Sequence, residues 1–422
     1  MTDLTLTTAG GITPGDAGES RRLKRALRRT RRRESWNAVL LLLPLALVTA
    51  IFFLLPIVSL LTGAVHSPDY AASFPRSAAL VAQGTTFDDD FYAAFFTDIT
   101  EADAAQNSGA GARRLNQDMA GFTTMLKKTT RQAREGAPAP GEARAWFENV
   151  DPRWVDPEYQ AAIARAAATN TDFFLLKSVD LQRDKAGNIT AVPDDQALFR
   201  RVLLRTLTIS LGVTFISCVL GYPLAWALVN ASPGWRRIML TGVLFPFWTS
   251  LLVRSAAWVI VLQKEGPINK LLLTLGVISE PLTLVFNRFG VMVALTHVLL
   301  PFLVLPLYSV MRGIPRDYLR AAKSLGARPT RAFLTSYVPL TLPGLGAGAI
   351  LVFIMAIGYY ITPALVGGPN DQMISYFIAF YTNNTINWGL ASALALNLLA
   401  VTLVLYALYR RLTAPAGGMG GA

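Results

Sequence analysis

The chain has 422 residues, a formal net charge of +12, and 52% hydrophobic against 16% charged residues. That apolar share, with a positive mean hydropathy, exceeds what a water-soluble core of this length uses. The charge is gathered into a few short runs, which favours a membrane surface as its partner over nucleic acid, although a polybasic arm binds phosphate in general.

In chain order, residues 1–20 are Gly, Thr and acidic residues without apolar periodicity, so a disordered tail is expected. Arg21, Arg22, Lys24, Arg25, Arg28, Arg29, Arg31, Arg32 and Arg33 follow, and then residues 35–65 carry no charge at all. About 20 apolar residues in a helix cross a hydrocarbon layer roughly 30 Å thick, so a first transmembrane helix is predicted at 35–64. The uncharged stretch is too long for a signal peptide and no Ala-x-Ala-like site follows it, which makes it a retained anchor. Four further uncharged runs of spanning length lie at 206–235, 289–311, 332–370 and 372–409, and 238–262 is broken only by Arg254. The last run divides at Asn383–Asn387, leaving its first part at the outer surface and its second as the sixth span. Residues 271–278 are too short to cross and are expected at the interface.

Between the first two spans, residues 65–200 hold 19 acidic and 14 basic residues. Their mixture of apolar and charged positions predicts a folded, mostly helical insertion, with an Ala-rich helix at 157–168 and a turn near 185–188. Lys and Arg mark cytoplasmic loops. The basic run before the first span, Arg236 and Arg237, the cluster at 312–331, and Arg410 and Arg411 then all fall inside, while the acidic insertion falls outside. These elements predict an all-α membrane protein: a six-transmembrane-helix bundle with a mostly helical extracytoplasmic insertion between helices 1 and 2. The domains expected are a cytoplasmic N-terminus at 1–34, the first helix at 35–64, the insertion at 65–200, a five-helix core at 201–411 and a flexible tail at 412–422.

Residues suited to covalent chemistry are scarce. Cys218 is the single cysteine and reads as a packing residue; His66 and His297 fall on different parts of the bundle and make a poor metal site. There is no Gly-Lys pair, so no phosphate-cradling loop of the usual kind is present. Gly344, Gly346 and Gly348 are expected to serve close helix packing. No span contains Asp or Glu, which weighs against an ATP-independent, proton-coupled carrier. The scarcity of His and Cys in the insertion weighs against a membrane-anchored enzyme or sensor. Arg254 lies within a span and needs compensation there; lining a transport pathway, snorkelling outward or pairing with another helix would each provide it. Trp248, Trp258, Tyr359 and Tyr360 could hold a cation on their ring faces or anchor the bundle at the membrane edge.

The loop at 312–342 is the most informative segment. Leu319-Arg320-Ala321-Ala322-Lys323-Ser324-Leu325-Gly326-Ala327 follows Pro315, predicting a short helix that Gly326 ends in a left-handed conformation. Its paired small residues admit close backbone approach, and Arg316, Arg320, Lys323, Arg328 and Arg331 surround them, so a docking element or a helix lying on anionic lipid is expected. This segment resembles the Glu-Ala-Ala-x-x-x-Gly motif of the permease subunits of bacterial type I ABC importers, with Val338-Pro339 matching the Val-Pro that follows and Arg320 standing where the family has glutamate. Phe245-Pro246-Phe247-Trp248-Thr249-Ser250 with Arg254, Trp258, Gly266, Ile268 and Asn269, and Thr362-Pro363-Ala364-Leu365-Val366-Gly367-Gly368-Pro369 with Asn387-Trp388, are similar to the polyamine branch of those permeases. The resemblance covers about residues 200–411 and the first span.

It implies ATPase coupling through Arg320, Ala321, Ala322, Gly326 and Pro339, and no catalytic residue in this chain. It further implies an ATP-binding subunit that carries the ATP and Mg, a second permease subunit, an extracytoplasmic solute-binding protein, and transport by alternating access in a bacterial inner membrane. A polyamine-like cation is the cargo implied; iron, phosphonate and amino-acid-like solutes are carried by related permeases.

Overall fold

A computed structural model of the protein describes residues 40–413, apart from 85, 106–107 and 184–187. The basic run, both tails and most of the turn expected at 185–188 lie outside the described residues. Helix α1, Leu40–Thr62, is 23 residues long and apolar throughout. At about 1.5 Å per residue it is long enough to cross a bilayer. A π turn at Ala50–Leu54 precedes Pro56, whose ring nitrogen has no hydrogen to donate.

From Leu61 onward the chain forms one compact unit. Its first part is the insertion, in which α2 (Asp69–Ser73), α3 (Pro75–Ala82), α4 (Asp89–Ala104), α5 (Ser108–Asp118), α6 (Phe122–Glu135), α7 (Ala143–Val150), α8 (Pro157–Ala167) and α9 (Phe173–Ser178) precede a hairpin of β1 (Leu181–Arg183) and β2 (Ile189–Ala191). The strands pair antiparallel with Leu181 opposite Ala191. Local chemistry sets the helix starts. Asp88 accepts the Phe91 N–H at 3.1 Å and Asp156 accepts the Glu158 N–H at 2.8 Å, each satisfying a donor that a first helical turn leaves open. Aromatic side chains fill the core, with Phe74, Phe91, Tyr92, Phe95, Phe122, Phe147 and Trp154 all buried. Both polar handles are satisfied: Trp154 Nε1 donates to Thr129 Oγ1 at 3.0 Å, and the Tyr92 hydroxyl donates to the Trp154 carbonyl at 2.6 Å.

The insertion is seated firmly on the membrane helices. Asp180 accepts the N–H groups of Leu198, Phe199 and Arg200 at 2.7–3.1 Å, capping the helix that follows. Phe174 of α9 packs with Ala64, Phe199, Ile374, Leu390 and Leu394, and an added Cβ on Gly389 would strike its ring. One cluster therefore joins the foot of the insertion to the bundle.

The remaining helices are α10 (Phe199–Asn230), α11 (Pro233–Leu244), α12 (Leu251–Leu262), α13 (Pro267–Thr274), α14 (Arg288–Gly313), α15 (Asp317–Ser324), α16 (Pro329–Gly358), α17 (Ile361–Val366), α18 (Ile374–Asn383) and α19 (Trp388–Thr413). Helices α10, α14 and α16 make the bundle core through Ile209, Val213, Leu295, Leu299, Leu303, Val352 and Ala356. The glycines of α16 serve packing, as expected. A Cβ on Gly348 would lie 2.9 Å from the Leu303 carbonyl oxygen, and one on Gly344 2.7 Å from Val310 Cβ.

Among the described residues, five helices are long and apolar enough to span: α1, α10, α14, α16 and α19. The span expected at 238–262 is divided between two helices. Pro233–Trp248 and Leu251–Thr274 meet at a 105° bend. A 3₁₀ turn at Phe245–Trp248 tightens the chain, Pro246 lacks a donor, and Thr249 turns to extended backbone. The pair makes a sixth span only as a broken one. The uncharged run at 332–370 likewise does not stay helical; α16 ends at Gly358 and α17 is a separate short helix. The division expected at 383–387 falls between α18 and α19.

Candidate functional site

Functional positions gather in two places on the bundle. At the end away from the insertion, α14 leads through Pro315 into α15, an eight-residue helix. Leu319 anchors it in a cluster with Met311, Ile314 and Phe333, while Ala321 faces outward and Ala322 is half-buried. Its exit is a glycine-dependent cap. The Gly326 N–H bonds to the Lys323 carbonyl at 2.9 Å and the Ala327 N–H to the Ala322 carbonyl at 3.1 Å, with Gly326 at φ +86°. Both bonds match the Schellman arrangement, which closes a helix through a left-handed residue. The turn then presents Leu325 at 89% exposure.

Arg320 approaches Asp317 at 3.5 Å, with the two side chains 76% and 83% exposed. An ion pair that open to solvent is worth about 0–0.5 kcal/mol, so the charge of Arg320 stays available at the surface. Asp317, unmarked in the sequence reading, supplies an acid in the first turn, where the helix dipole favours it. Pro339 is exposed and lies two residues after the π turn at Phe333–Tyr337, through which α16 absorbs the missing proline donor.

The second group lies on the broken pair and its neighbours. Trp258 Nε1 donates to His297 Nδ1 at 3.2 Å, joining α12 to α14. Arg254 is half-buried, and among the described residues its Nε has no hydrogen-bond partner. Trp258 is thus joined to His297, which the sequence reading had set aside as a poor metal ligand; Arg254 lies one turn before Trp258 on α12, and Tyr359 follows α16 in the cluster that holds Leu251. Trp248 and Tyr360 are not part of this group by any bond; Trp248 is 87% exposed at the bend.

Several pairings escaped the sequence reading because they join residues that are not neighbours in the chain. Ser255 and Thr362, both buried, share a hydroxyl hydrogen bond of 3.0 Å that ties α12 to α17. Arg288 meets Asp371 at 3.5 Å, and Arg205 Nη1 donates to the Gln372 carbonyl at 3.2 Å. Asn269 is buried and bonded to Leu282 through both ends of its amide, holding the loop between α13 and α14. Two of the stretches singled out in the sequence are therefore joined by Ser255 and Thr362. Among the described residues, no group of three His, Cys, Asp or Glu side chains is placed to hold a metal ion.

A many-span bundle with a broken helix, a polar contact across it and an outward-facing, glycine-capped helix defines a membrane component of a transport machine. The chain belongs to the family of binding-protein-dependent transport system inner membrane components, whose model matches residues 199–414. It is a multi-pass inner-membrane permease subunit of an ABC importer, working with an ATPase and a substrate-binding protein. It is 36% identical over 214 residues to the spermidine/putrescine transport system permease protein PotB of Escherichia coli (strain K12), a match covering 51% of this chain and 78% of the relative. The inner membrane ABC transporter permease protein YdcU of the same strain is 33% identical over 224 residues, covering 49% of this chain and 69% of that protein. Among solved structures, a bacterial alginate ABC transporter in complex with an alginate pentasaccharide-bound periplasmic protein aligns with a TM-score of 0.42 and 18% identity, over 54% of this chain and 82% of that one.

Proposed function

We propose that this permease conducts polyamine-like organic cations and couples to its ATPase through α15, with Arg320, Ala321, Ala322, Gly326 and Pro339 forming or framing the docked surface. The observation that carries the coupling is the outward-facing Ala321 on a helix closed at Gly326, an exposed element that a partner groove could receive without rearrangement. The cargo rests on the named relatives, the spermidine/putrescine permeases, and on the aromatic faces of Trp258 and Tyr359 near the broken helix. In this reading the partner ATPase binds the ATP and Mg, and this chain holds no cofactor. A second permease subunit completes the pathway. The charge pattern supports both termini in the cytoplasm and the insertion outside. Closure of the ATPase pair would move α15, and through the α16 lead-in the bundle, to alternate access.

Reconstitution with the co-purifying ATPase, second permease and binding protein tests both parts. ATP-dependent uptake of labelled spermidine or putrescine that unlabelled polyamine competes away is expected. Uptake of iron, a phosphonate or an amino acid in its place would move the assignment to the second reading. That reading is favoured by Arg254, a positive charge at the broken helix in spans without carboxylates. Purification that reproducibly yields the chain without any ATPase would sink the coupling assignment.

A further inference from the structure

The foot of the insertion encloses an open cavity of about 1090 Å³ between α5, α8, α9, the hairpin and the start of α10. Ligand pockets run to roughly 300–1,000 Å³, so this one is large enough for a small molecule or a lipid headgroup. Three acids and three bases line it, and nearly all are spoken for. Asp118 pairs with Arg165 at 2.8 Å and Asp172 with Arg183 at 2.5 Å. Asp180 is consumed by the three N–H groups at the start of α10. Lys177 remains. Its ammonium donates to the Gln117 carbonyl at 3.2 Å and lies 5.2 Å from the Phe173 ring centroid, with no carboxylate of the described residues paired to it.

Behind the same wall sits Arg114. Its side chain is fully buried, and Nε, Nη1 and Nη2 all lack hydrogen-bond partners. The rings of Phe173 and Phe174, at 5.3 and 5.1 Å, face its guanidinium. A buried guanidinium with five unsatisfied donors is costly unless a counter-charge sits nearby. Asp118 and Asp69 act on it only at longer range, and Asp118 is already paired. The described lining residues balance at three acids and three bases, and Arg114 behind them adds a positive charge that no hydrogen bond or ion pair satisfies among the described residues.

We propose that this cavity binds a small anionic group, a phosphate, through the ammonium of Lys177, with Arg114 supplying the field behind Phe173. The source is either a soluble phosphate compound or the headgroup of an anionic phospholipid, because Val65, just beyond α1, and Phe199, the first residue of α10, both line the cavity. Burial already holds the Lys177 ammonium below the usual lysine range, and a bound anion would raise it. All of the lining except Phe199 lies outside the family-matched region, and the site does not depend on the cargo or on coupling.

The test uses the full chain in neutral detergent and phosphate-free buffer, with inorganic phosphate, dihexanoyl phosphatidylglycerol and dihexanoyl phosphatidylcholine as probes. Melting temperature and hydrogen exchange of residues 165–183 are read. Phosphate or phosphatidylglycerol should raise the melting temperature and slow exchange, while phosphatidylcholine should do neither. A response to phosphatidylglycerol alone identifies a lipid site, and a response to phosphate as well identifies a soluble ligand. Lys177→Met should weaken the response by about tenfold or more while leaving the unliganded melting temperature near that of the wild type. Arg114→Met should melt no lower than the wild type without ligand, since an apolar isostere relieves a buried charge, and should also lose the response. Absence of a wild-type response to millimolar phosphate and phosphatidylglycerol, or an undiminished response in Lys177→Met, would overturn the proposal.

Discussion

Gly326 sits at φ +86° in open space, so the constraint on it is its own backbone and not a neighbour. A β-branched side chain in that region costs about 1–2 kcal/mol and would unwind the cap of α15. Gly326→Val should therefore cut ATP-dependent uptake by about tenfold or more, with the complex still assembling; uptake at the wild-type level would show that the cap is dispensable. Near the broken helix, Trp258→Phe removes the indole N–H that His297 accepts while keeping most of the ring. If the hydrogen bond positions Arg254 and its neighbours, transport should fall several-fold with little change in folded yield; loss of folded protein in its place would mark the bond as structural. In the insertion, hydrogen bonds from Arg153 hold the Asp151 carboxyl below the ordinary aspartate value of 3.8. This contribution is complete above that ordinary value and is lost as pH falls through the depressed one. The stability gap between wild type and Arg153→Met, measured by hydrogen exchange of residues 143–167 on heating, should be widest near pH 6 and narrow towards pH 3.

Helices α14 and α16 cross where Gly348 meets the backbone of Leu303, and the two chains approach too closely for any side chain to intervene. Gly348→Leu should push them apart and reduce the monodisperse, detergent-solubilised yield sharply, whereas an exposed position such as Gly234, with open space around it, should accept Ala without effect. At this scale the proline pattern also becomes intelligible. Pro56 and Pro339 follow π turns, and Pro246 sits in the 3₁₀ turn at the bend, so each missing donor is absorbed by a local change of helix type. The bend was invisible to a count of uncharged residues, because hydropathy measures transfer into lipid and not the direction of the chain.

Across the whole molecule, the insertion divides into a separable body and an integral foot. The Ser67 N–H bonds to the Thr169 carbonyl and the Thr171 N–H to the Val65 carbonyl, both at 2.8 Å, so the two ends of segment 68–168 lie side by side. Replacing that segment with a short Gly-Ser link should leave a folded permease that still elutes as a single species. Removing 67–197 takes Phe174 and the Asp180 cap with it, exposes Ile374, Leu390 and Leu394, and should prevent recovery of folded protein. Uptake by the shorter deletion would then report whether the body of the insertion is needed for transport or only accompanies it.

The sequence alone determined what depends on short-range chemistry and on the solvent a segment requires. The uncharged runs at 206–235 and 289–311 fixed α10 and α14, the Ala-rich stretch after Asp156 fixed α8, and Gly326 between Leu325 and Ala327 fixed the end of α15. The docking motif was legible for the same reason, since its residues are neighbours in the chain. Only the tertiary structure decided which distant groups meet. Ser255 with Thr362, Arg288 with Asp371, Trp258 with His297, and the stranded Arg114 between Phe173 and Phe174 are pairings across long loops, and residue spacing carries no information about them. Backbone preference and membrane transfer are properties of local sequence, whereas a buried polar partner is chosen by the packing of whole helices.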